Sequence, residues 1–172
     1  MLEKYNIALI PLNASDDFIC VSNKFSMLTT EYKLNQRSFP HITIHQFYAN
    51  EMEVEEIWHN ICGKIKHPYI NLNLIKFSCV TFDDTNFWVS LIPDNLMALN
   101  NLHHKIAPFI DSLHTRPYDP HLTLISTIDI EYKNKINSLI YEYDPISDMF
   151  VLSIGRCDSK GQFTEIVKLF SI

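Results

Sequence analysis

The chain has 172 residues, of which 47% are hydrophobic and 20% are charged, as in an ordinary globular protein. Its net charge is −6, from 14 Lys and Arg against 20 Asp and Glu, and this acidity disfavours binding to long duplex DNA or RNA, which needs a basic surface. No apolar run is long enough to cross a bilayer, the amino terminus lacks a secretory signal, and the four cysteines form no CxxC pair. We therefore expect a cytoplasmic protein with reduced thiols and no membrane partner.

The first half of the chain is predicted to contain strands and helices in turn. In chain order these are a strand at 5–12, a helical stretch from 13 to about 33, a strand at 39–47, a helix at 52–66 and two strands at 69–82 and 86–92. The strands alternate in polarity or carry β-branched residues, and the second helix repeats apolar residues at helical spacing. The letters DDT between the last two strands predict a hairpin turn.

The second half repeats this order. Its predicted elements are a helix at 93–113 that Pro108 interrupts, a strand at 120–126, a helix at about 131–143, and two strands at 149–157 and 163–170. Each half therefore reads helix, strand, helix, strand, strand. A repeat of this length predicts a duplicated lobe, so we expect a single bilobal domain over 1–172, with lobes at about 13–92 and 93–172 and an extra strand in front.

The same five-residue pattern occurs once in each half. PHITI occupies residues 40–44 and PHLTL residues 120–124, so the two histidines are 80 positions apart (121 − 41). We call these two segments the HxT boxes. In an extended strand, residues i and i+2 point to the same face, which puts a threonine beside each histidine. Two lobes related by a pseudo-twofold axis would bring both boxes together across one cleft.

The boxes have a structural and a catalytic interpretation. In the structural one, each histidine is a hydrogen-bonded residue of a core strand, beside a β-branched threonine. Two independent copies are improbable by chance, because the pattern occurs at on the order of one position in 10⁵. A second argument against the structural interpretation is that buried polar residues are unfavourable unless they are paired. In the catalytic one, a neutral imidazole is the base and a protonated one the acid across a scissile P–O bond, while threonine hydroxyls donate to phosphate oxygens. That chemistry needs no metal.

The boxes, their spacing and the repeated order of elements resemble the two-histidine (2H) phosphoesterase superfamily, which includes RNA 2′,3′-cyclic phosphodiesterases and 2′-5′ RNA ligase-like proteins. The resemblance implies an α+β fold, the bilobal 2H phosphoesterase (LigT-like) fold, with two pseudo-twofold related α-β-α-β-β lobes around a central cleft. It also implies that His41 and His121 are catalytic, that Thr43 and Thr123 contact the phosphate, and that no cofactor or metal is required. Only the two boxes match in letters.

Four further residues are candidates for substrate binding. His45 would share the strand face of the first-box histidine. Residues four apart on a strand are roughly 13 Å apart, too far to hold one metal ion together, so we expect His45 to line the cleft or to lie at its rim. In the second half, Ser126 lies one residue beyond the position that is equivalent to His45. Arg116 and Tyr118 precede the second box, where an arginine can bind phosphate and an aromatic ring can stack on a base. Alternatively, both are solvated loop residues.

The sequence therefore favours a metal-independent phosphodiesterase that hydrolyses 2′,3′-cyclic phosphates of RNA ends or nucleotides. The alternatives are a 2′-5′ or 3′-5′ (cyclic) oligonucleotide phosphodiesterase, a 2′-5′ RNA ligase, or a non-catalytic module that binds a nucleotide or an RNA end. The enzyme is favoured because neither box has lost its histidine or threonine. We expect a monomer whose partner is a nucleotide or single-stranded RNA end, and neither duplex DNA nor a membrane. Which histidine is the acid does not follow from the sequence.

Overall fold

The computed structural model describes residues 1–81, 85–111, 113, 117–137 and 143–170. Its strands are β1 (Glu3–Pro11), β2 (Tyr32–Lys33), β3 (Ile42–Ala49), β4 (Tyr69–Thr81), β5 (Phe87–Pro93), β6 (Leu122–Thr127), β7 (Ile146–Cys157) and β8 (Phe163–Leu169). Its helices are α1 (Ser15–Lys24), α2 (Glu51–Lys64), α3 (Leu96–Ile106) and α4 (Tyr132–Asn137), with 3-10 turns at Ser26–Leu28 and Ala107–Phe109. Apart from β1 and the short β2, each half runs helix, strand, helix, strand, strand, as predicted.

The first helix is shorter than predicted. It ends at Lys24, where the N–H of Phe25 bonds to the carbonyl oxygen of Ser22 at 3.0 Å and the chain tightens into a 3-10 turn. The segment then becomes extended and forms β2 at Tyr32–Lys33. The prediction of a helix to about residue 33 is therefore wrong over its last third, where the two adjacent threonines of LTTEYK favour extended backbone.

Two predicted features of the second half are only partly described. Pro108 has the predicted effect, because α3 ends at Ile106 and the proline lies in the following 3-10 turn. The predicted helix at about 131–143 begins as α4 at Tyr132–Asn137, and its remainder, 138–142, lies outside the described residues. Residues 83–84 of the predicted DDT turn also lie outside the described residues.

Helix α2 begins at a capping box. The side chain of Asn50 accepts from the N–H groups of Met52 and Glu53, and the Glu53 carboxylate accepts from the N–H of Asn50 at 2.7 Å. These bonds satisfy N–H groups that have no partner within the helix. The buried face of α2 contains Val54 and Ile61, which pack on the sheet.

All eight strands belong to one antiparallel sheet. The pairings run in the order β1-β3-β6-β5-β4-β7-β8, β1 also pairs with β7, and β2 is added to β6. Strands of the two sequence halves are interleaved, because β6 pairs with β5, and β7 pairs with both β1 and β4. The two halves therefore share one hydrogen-bonded sheet.

The halves meet at equivalent positions of the two boxes. Ile42 of β3 pairs with Leu122 of β6, and each is the residue after its box histidine. An antiparallel contact between equivalent residues is what a twofold axis between two strands produces. Both strands also carry a β-bulge at the same place, at 43–45 in β3 and at 123–125 in β6.

The sheet buries apolar side chains on both faces. The main core lies between the sheet and the helices and includes Ile42 and Leu122. A smaller cluster on the opposite face of β1 contains Ala8, Val151 and Phe163. The four cysteines are free; Cys20 and Cys62 are exposed, and Cys79 and Cys157 are half-buried. Within the described part of the chain, no helix is both long and apolar enough to traverse a bilayer.

Candidate active site

The HxT boxes meet where β3 and β6 pair. The ladder contact between these strands joins the two residues that follow the box histidines. Continuing that antiparallel register by one residue sets His41 across from Thr123, and Thr43 across from His121. All four side chains are partly buried. The sheet thus brings together the four residues that the sequence singles out.

Both histidine rings are anchored in the same way. Nδ1 of His41 lies 2.8 Å from the carbonyl oxygen of Phe39, and Nδ1 of His121 lies 2.7 Å from that of Asp119. In each box the acceptor is the carbonyl group two residues before the histidine. Since a carbonyl oxygen can only accept, Nδ1 carries a proton and donates it. Nε2 of each ring is therefore the atom that can take up or release a proton at the site.

The imidazole of the first box lies against aromatic rings. The ring centroid of Phe163 is 5.4 Å from that of His41, and Phe39 packs edge-on against Phe163 at 6.2 Å. Burial lowers the pKa of His41 from 6.5 to about 4; the Phe39 carbonyl group opposes this shift, and the charge of His121 adds to it. At neutral pH, His41 is therefore uncharged.

Asn6 of β1 also contacts this imidazole. Its side chain is fully buried, and its Nδ2 lies 3.5 Å from Nε2 of His41 and 3.4 Å from the carbonyl oxygen of Gly161. Gly161 lies in the turn between β7 and β8 with a φ of 84°, a left-handed conformation that suits glycine. A hydrogen bond from the N–H of Gly161 to the carbonyl oxygen of Asp158 closes this turn. The turn thereby contacts the residue that touches His41.

The imidazole of the second box has different surroundings. Oδ2 of Asp119 lies 3.7 Å from Nδ1 of His121, whose side chain is 26% exposed. Among the described residues, no carboxylate is paired with His41. The two boxes thus present the same ring geometry in two electrostatic environments.

The bulges decide which residues of the box strands face the site. Between Thr43 and His45, β3 advances by two residues while β1 advances by one, so Ile44 and His45 both turn to the core. Gln46 then returns to the face of Thr43. The equivalent bulge in β6 gives Ser126 the same place in the second half. The expected alternation, with His45 on the face of Thr43, is therefore wrong at this point of the strand.

Two of the other candidate residues, His45 and Tyr118, contact His103. His45 is 1% exposed; its Nε2 lies 3.0 Å from the carbonyl oxygen of His103, and the two rings are 4.0 Å apart. The His103 ring is also 4.3 Å from Tyr118. Burial raises the pKa of Tyr118, whose hydroxyl has no hydrogen-bond partner among the described residues. Arg116 lies outside the described residues. Substrate contacts by these residues stay predictions.

The arrangement is suited to acid–base chemistry at one small group. The two histidines stand on paired strands close enough for their charges to interact, and each box has a threonine on the same strand face as a hydrogen-bond donor. The two rings differ in environment, and burial lowers the pKa of His41 so that this ring is neutral at neutral pH. In the described ranges, no three His, Cys, Asp or Glu side chains lie close enough to hold a metal ion.

Two neighbours of His41 were not predicted from the sequence. The sequence contains an indication for Asn6, because it is the one amide in the apolar strand YNIALI and a buried amide needs a hydrogen-bond partner. No sequence pattern indicates the contact of Phe163 with His41. Phe163 begins the last strand and reaches His41 only through the pairing of β8 with β7 and of β7 with β1. Contacts of that kind depend on the sheet order, which local patterns do not contain.

No known protein family matches the chain by sequence, and no curated protein does. Its structure, however, is similar to solved structures. The crystal structure of E. coli LigT complexed with NADP+ has a TM-score of 0.67 at 14% identity, over 100% of this chain and 99% of that one. LigT complexed with 3′-AMP gives a TM-score of 0.66 at 14% identity over the same shares. Usb1 of Kluyveromyces marxianus gives 0.53 at 10% identity, over 81% of this chain and 80% of its own. The expected fold is confirmed: the chain has a LigT-like fold.

Proposed function

We propose that this protein is a phosphodiesterase that opens 2′,3′-cyclic phosphates of nucleotides or RNA ends by acid–base catalysis with His41 and His121. The observation that carries the proposal is the pair of imidazoles, each anchored through Nδ1 to the carbonyl group two residues earlier, on strands that meet at equivalent positions. A nucleotide substrate is favoured by the structural neighbours, since E. coli LigT is complexed with 3′-AMP and, in another crystal structure, with ATP.

The reaction uses one proton acceptor and one proton donor. Water attacks the phosphorus atom while one imidazole takes a proton from it at Nε2. The bond from phosphorus to one ribose oxygen breaks, and the other imidazole gives its Nε2 proton to that oxygen. The product is a phosphate monoester, and the two rings have exchanged protonation states, which solvent restores. Thr43 and Thr123 donate hydrogen bonds to the non-bridging oxygens as negative charge develops on them.

The first experiment is hydrolysis of the four 2′,3′-cyclic mononucleotides by the purified protein with EDTA present. We expect turnover, and the ranking of the four bases describes the base pocket. His41→Ala and His121→Ala should each reduce turnover by at least about 10²-fold with unchanged circular dichroism, because each removes a proton-transfer group. His59→Ala, at an exposed place on α2, is the matched control and should keep full activity.

Two outcomes contradict the proposal. Near-wild-type activity of either box variant would show that the two-histidine mechanism is wrong. Absence of turnover with all four nucleotides would exclude them as substrates, and 2′-5′-linked and cyclic oligonucleotides are then the substrates to assay. Binding of these nucleotides without turnover of any of them would indicate a non-catalytic module.

A further inference from the structure

We propose that Asn6 is a positioning residue that holds His41 as the neutral imidazole protonated on Nδ1, and so makes His41 the base and His121 the acid of the pair. Asn6 lies on β1, outside both boxes, and reaches the site across the β1–β3 pairing. The assignment of base and acid rests on the proposed function. The protonation state of the His41 ring does not rest on it, so the two can be tested separately.

Two carbonyl groups determine where the protons lie between Asn6 and His41. The carbonyl oxygen of Phe39 accepts from Nδ1 of His41 at 2.8 Å, and that of Gly161 accepts from Nδ2 of Asn6 at 3.4 Å. Because Gly161 accepts from it, the amide must present its NH₂ group, and not its oxygen, to Nε2 of His41, 3.5 Å away. Nε2 then carries the lone pair. A proton added to Nε2 would face another N–H, so Asn6 favours the neutral ring.

The second half places a different residue at the position of Asn6. Asn6 pairs with Gln46 across β1 and β3, whereas Trp88 pairs with Ser126 across the equivalent strands β5 and β6. Beside the second imidazole stands instead the carboxylate of Asp119, 3.7 Å from Nδ1. An N–H group opposes protonation of a neighbouring imidazole, whereas a carboxylate gives the protonated ring a partner. The asymmetry matches a base in the first box and an acid in the second.

The charged groups on the neighbouring elements are compatible with this assignment. From β6, the charge of His121 disfavours a second positive charge on His41. From β1, Lys4 approaches the same turn and is itself a cation. In the turn between β7 and β8, Asp158 accepts from backbone N–H groups of its own turn, and Lys160 pairs with a glutamate that precedes β2. The element β8 presents an aromatic ring.

Asn6 is an unfavourable residue if its role is stability alone. Its side chain is 0% exposed, and its Oδ1 has no hydrogen-bond partner among the described residues. A buried acceptor without a partner destabilises the fold, and a leucine of similar size would avoid this. A structural residue at this place would be expected to be apolar.

The test is NMR of the histidine rings in the wild type and in Asn6→Asp. The His41 signals are identified by their loss in His41→Gln. We expect the wild-type ring to carry its proton on Nδ1. In Asn6→Asp, the new carboxylate accepts a bond from a protonated Nε2, so the pKa of His41 should rise by about 1–3 units. Asn71→Asp, an exposed position on β4, makes the same charge change elsewhere and should leave the ring unchanged.

A second variant keeps the test decisive if Asn6→Asp does not fold. Asn6→Ser removes the opposing N–H without adding a charge, and it should move the pKa of His41 in the same direction by a smaller amount. A wild-type ring protonated on Nε2, or a pKa that neither substitution moves, overturns the proposal. Asn6→Leu should keep or raise the melting temperature; a large fall would identify Asn6 as a structural residue and would also overturn it.

The pH profile separates the role of His41 from its protonation state. A base must be unprotonated, so in Asn6→Asp the acid limb of kcat/KM should move to higher pH together with the NMR pKa. Movement of the basic limb instead would make His41 the acid and overturn the assignment of roles. If no cyclic phosphate is turned over but the NMR shifts occur, the proposed function fails, whereas the action of Asn6 on the ring is supported.

Discussion

His41 and His121 have the same backbone anchor and different neighbours, and this difference separates two rings that the sequence makes look alike. Phe163 covers one side of the His41 ring, and Asn6 touches its Nε2. Asp119 stands beside His121. The sequence identified both histidines because the boxes are local, but it gave no access to their environments, since Asn6 and Phe163 come from β1 and β8.

The lowered pKa of His41 makes the stability of the fold depend on pH. In the unfolded chain this imidazole takes up a proton near pH 6.5, whereas in the folded protein it does so only at about 4. Between these values the unfolded state binds more protons than the folded state, so the free energy of unfolding falls as the pH drops from 6.5 towards 4. Below pH 4 this loss of stability does not increase further. We expect His41→Gln to remove about 2–3 kcal/mol of that loss.

The measurement is urea unfolding of the wild type and of His41→Gln at pH about 7 and about 4.5. The free energy of unfolding should fall more steeply with acid in the wild type than in the variant. His59→Gln, at an exposed position of α2, controls for the loss of one imidazole. Equal slopes in the wild type and in His41→Gln would show that burial does not disfavour the protonated ring.

At the scale of single elements, regular periodicity predicts most of the strands and fails at the bulges. Alternation along β3 would place His45 with Thr43, but the bulge turns Ile44 and His45 to the core and Gln46 to the site. A bulge is set by the fit of β3 to its neighbour, so its position is not written in the polarity of β3 alone. The end of α1 is a related case, because β2 forms only where β6 offers an edge.

The pairing of β7 with β8 depends on a residue without a side chain. A Cβ built on Gly155 would overlap the carbonyl oxygen of Glu165 and would lie 2.6 Å from Cζ of Phe163. We expect Gly155→Ala to destabilise the fold by about 1–3 kcal/mol, since the pleat cannot take the methyl group without moving backbone. Because Phe163 packs on His41, activity should also fall in the folded fraction.

Gly63→Ala is the matched control for this substitution. Gly63 lies in α2, and nothing lies within 4 Å of a Cβ built there. Alanine in a helix should stabilise it by about 0.5–1 kcal/mol relative to glycine. Thermal unfolding and cyclic-nucleotide hydrolysis of both variants provide the comparison. Equal melting temperatures for the two variants would show that β8 does not pack closely on Gly155.

For the whole molecule, the repeat in the sequence predicts two lobes, and the sheet shows how the two halves are joined. The LigT-like fold was implied by the family resemblance that the two boxes and the repeated order of elements carry. The sequence did not contain the strand order, in which β6 of the second half lies beside β5 of the first, and β7 lies between β1 and β4. Such pairings depend on the competition of all strands for partners, and no local pattern encodes it.

Because the halves share one sheet, we predict that the chain unfolds as a single cooperative unit and not lobe by lobe. The two tryptophans allow a direct test. Trp58 of α2 packs against Phe170 beyond β8, and Trp88 lies in β5 opposite Ser126. The variants Trp58→Phe and Trp88→Phe each leave one fluorescent reporter: Trp88 in β5, at the middle of the order of strands, or Trp58 near β8, at its end. In urea, the fluorescence transition of each variant should coincide with its own far-ultraviolet circular dichroism transition. Independent unfolding of separate parts of the sheet would instead give, in at least one variant, a fluorescence midpoint that departs from the circular dichroism midpoint. That result would mean that the β1–β7 and β4–β7 pairings do not couple these parts of the sheet energetically.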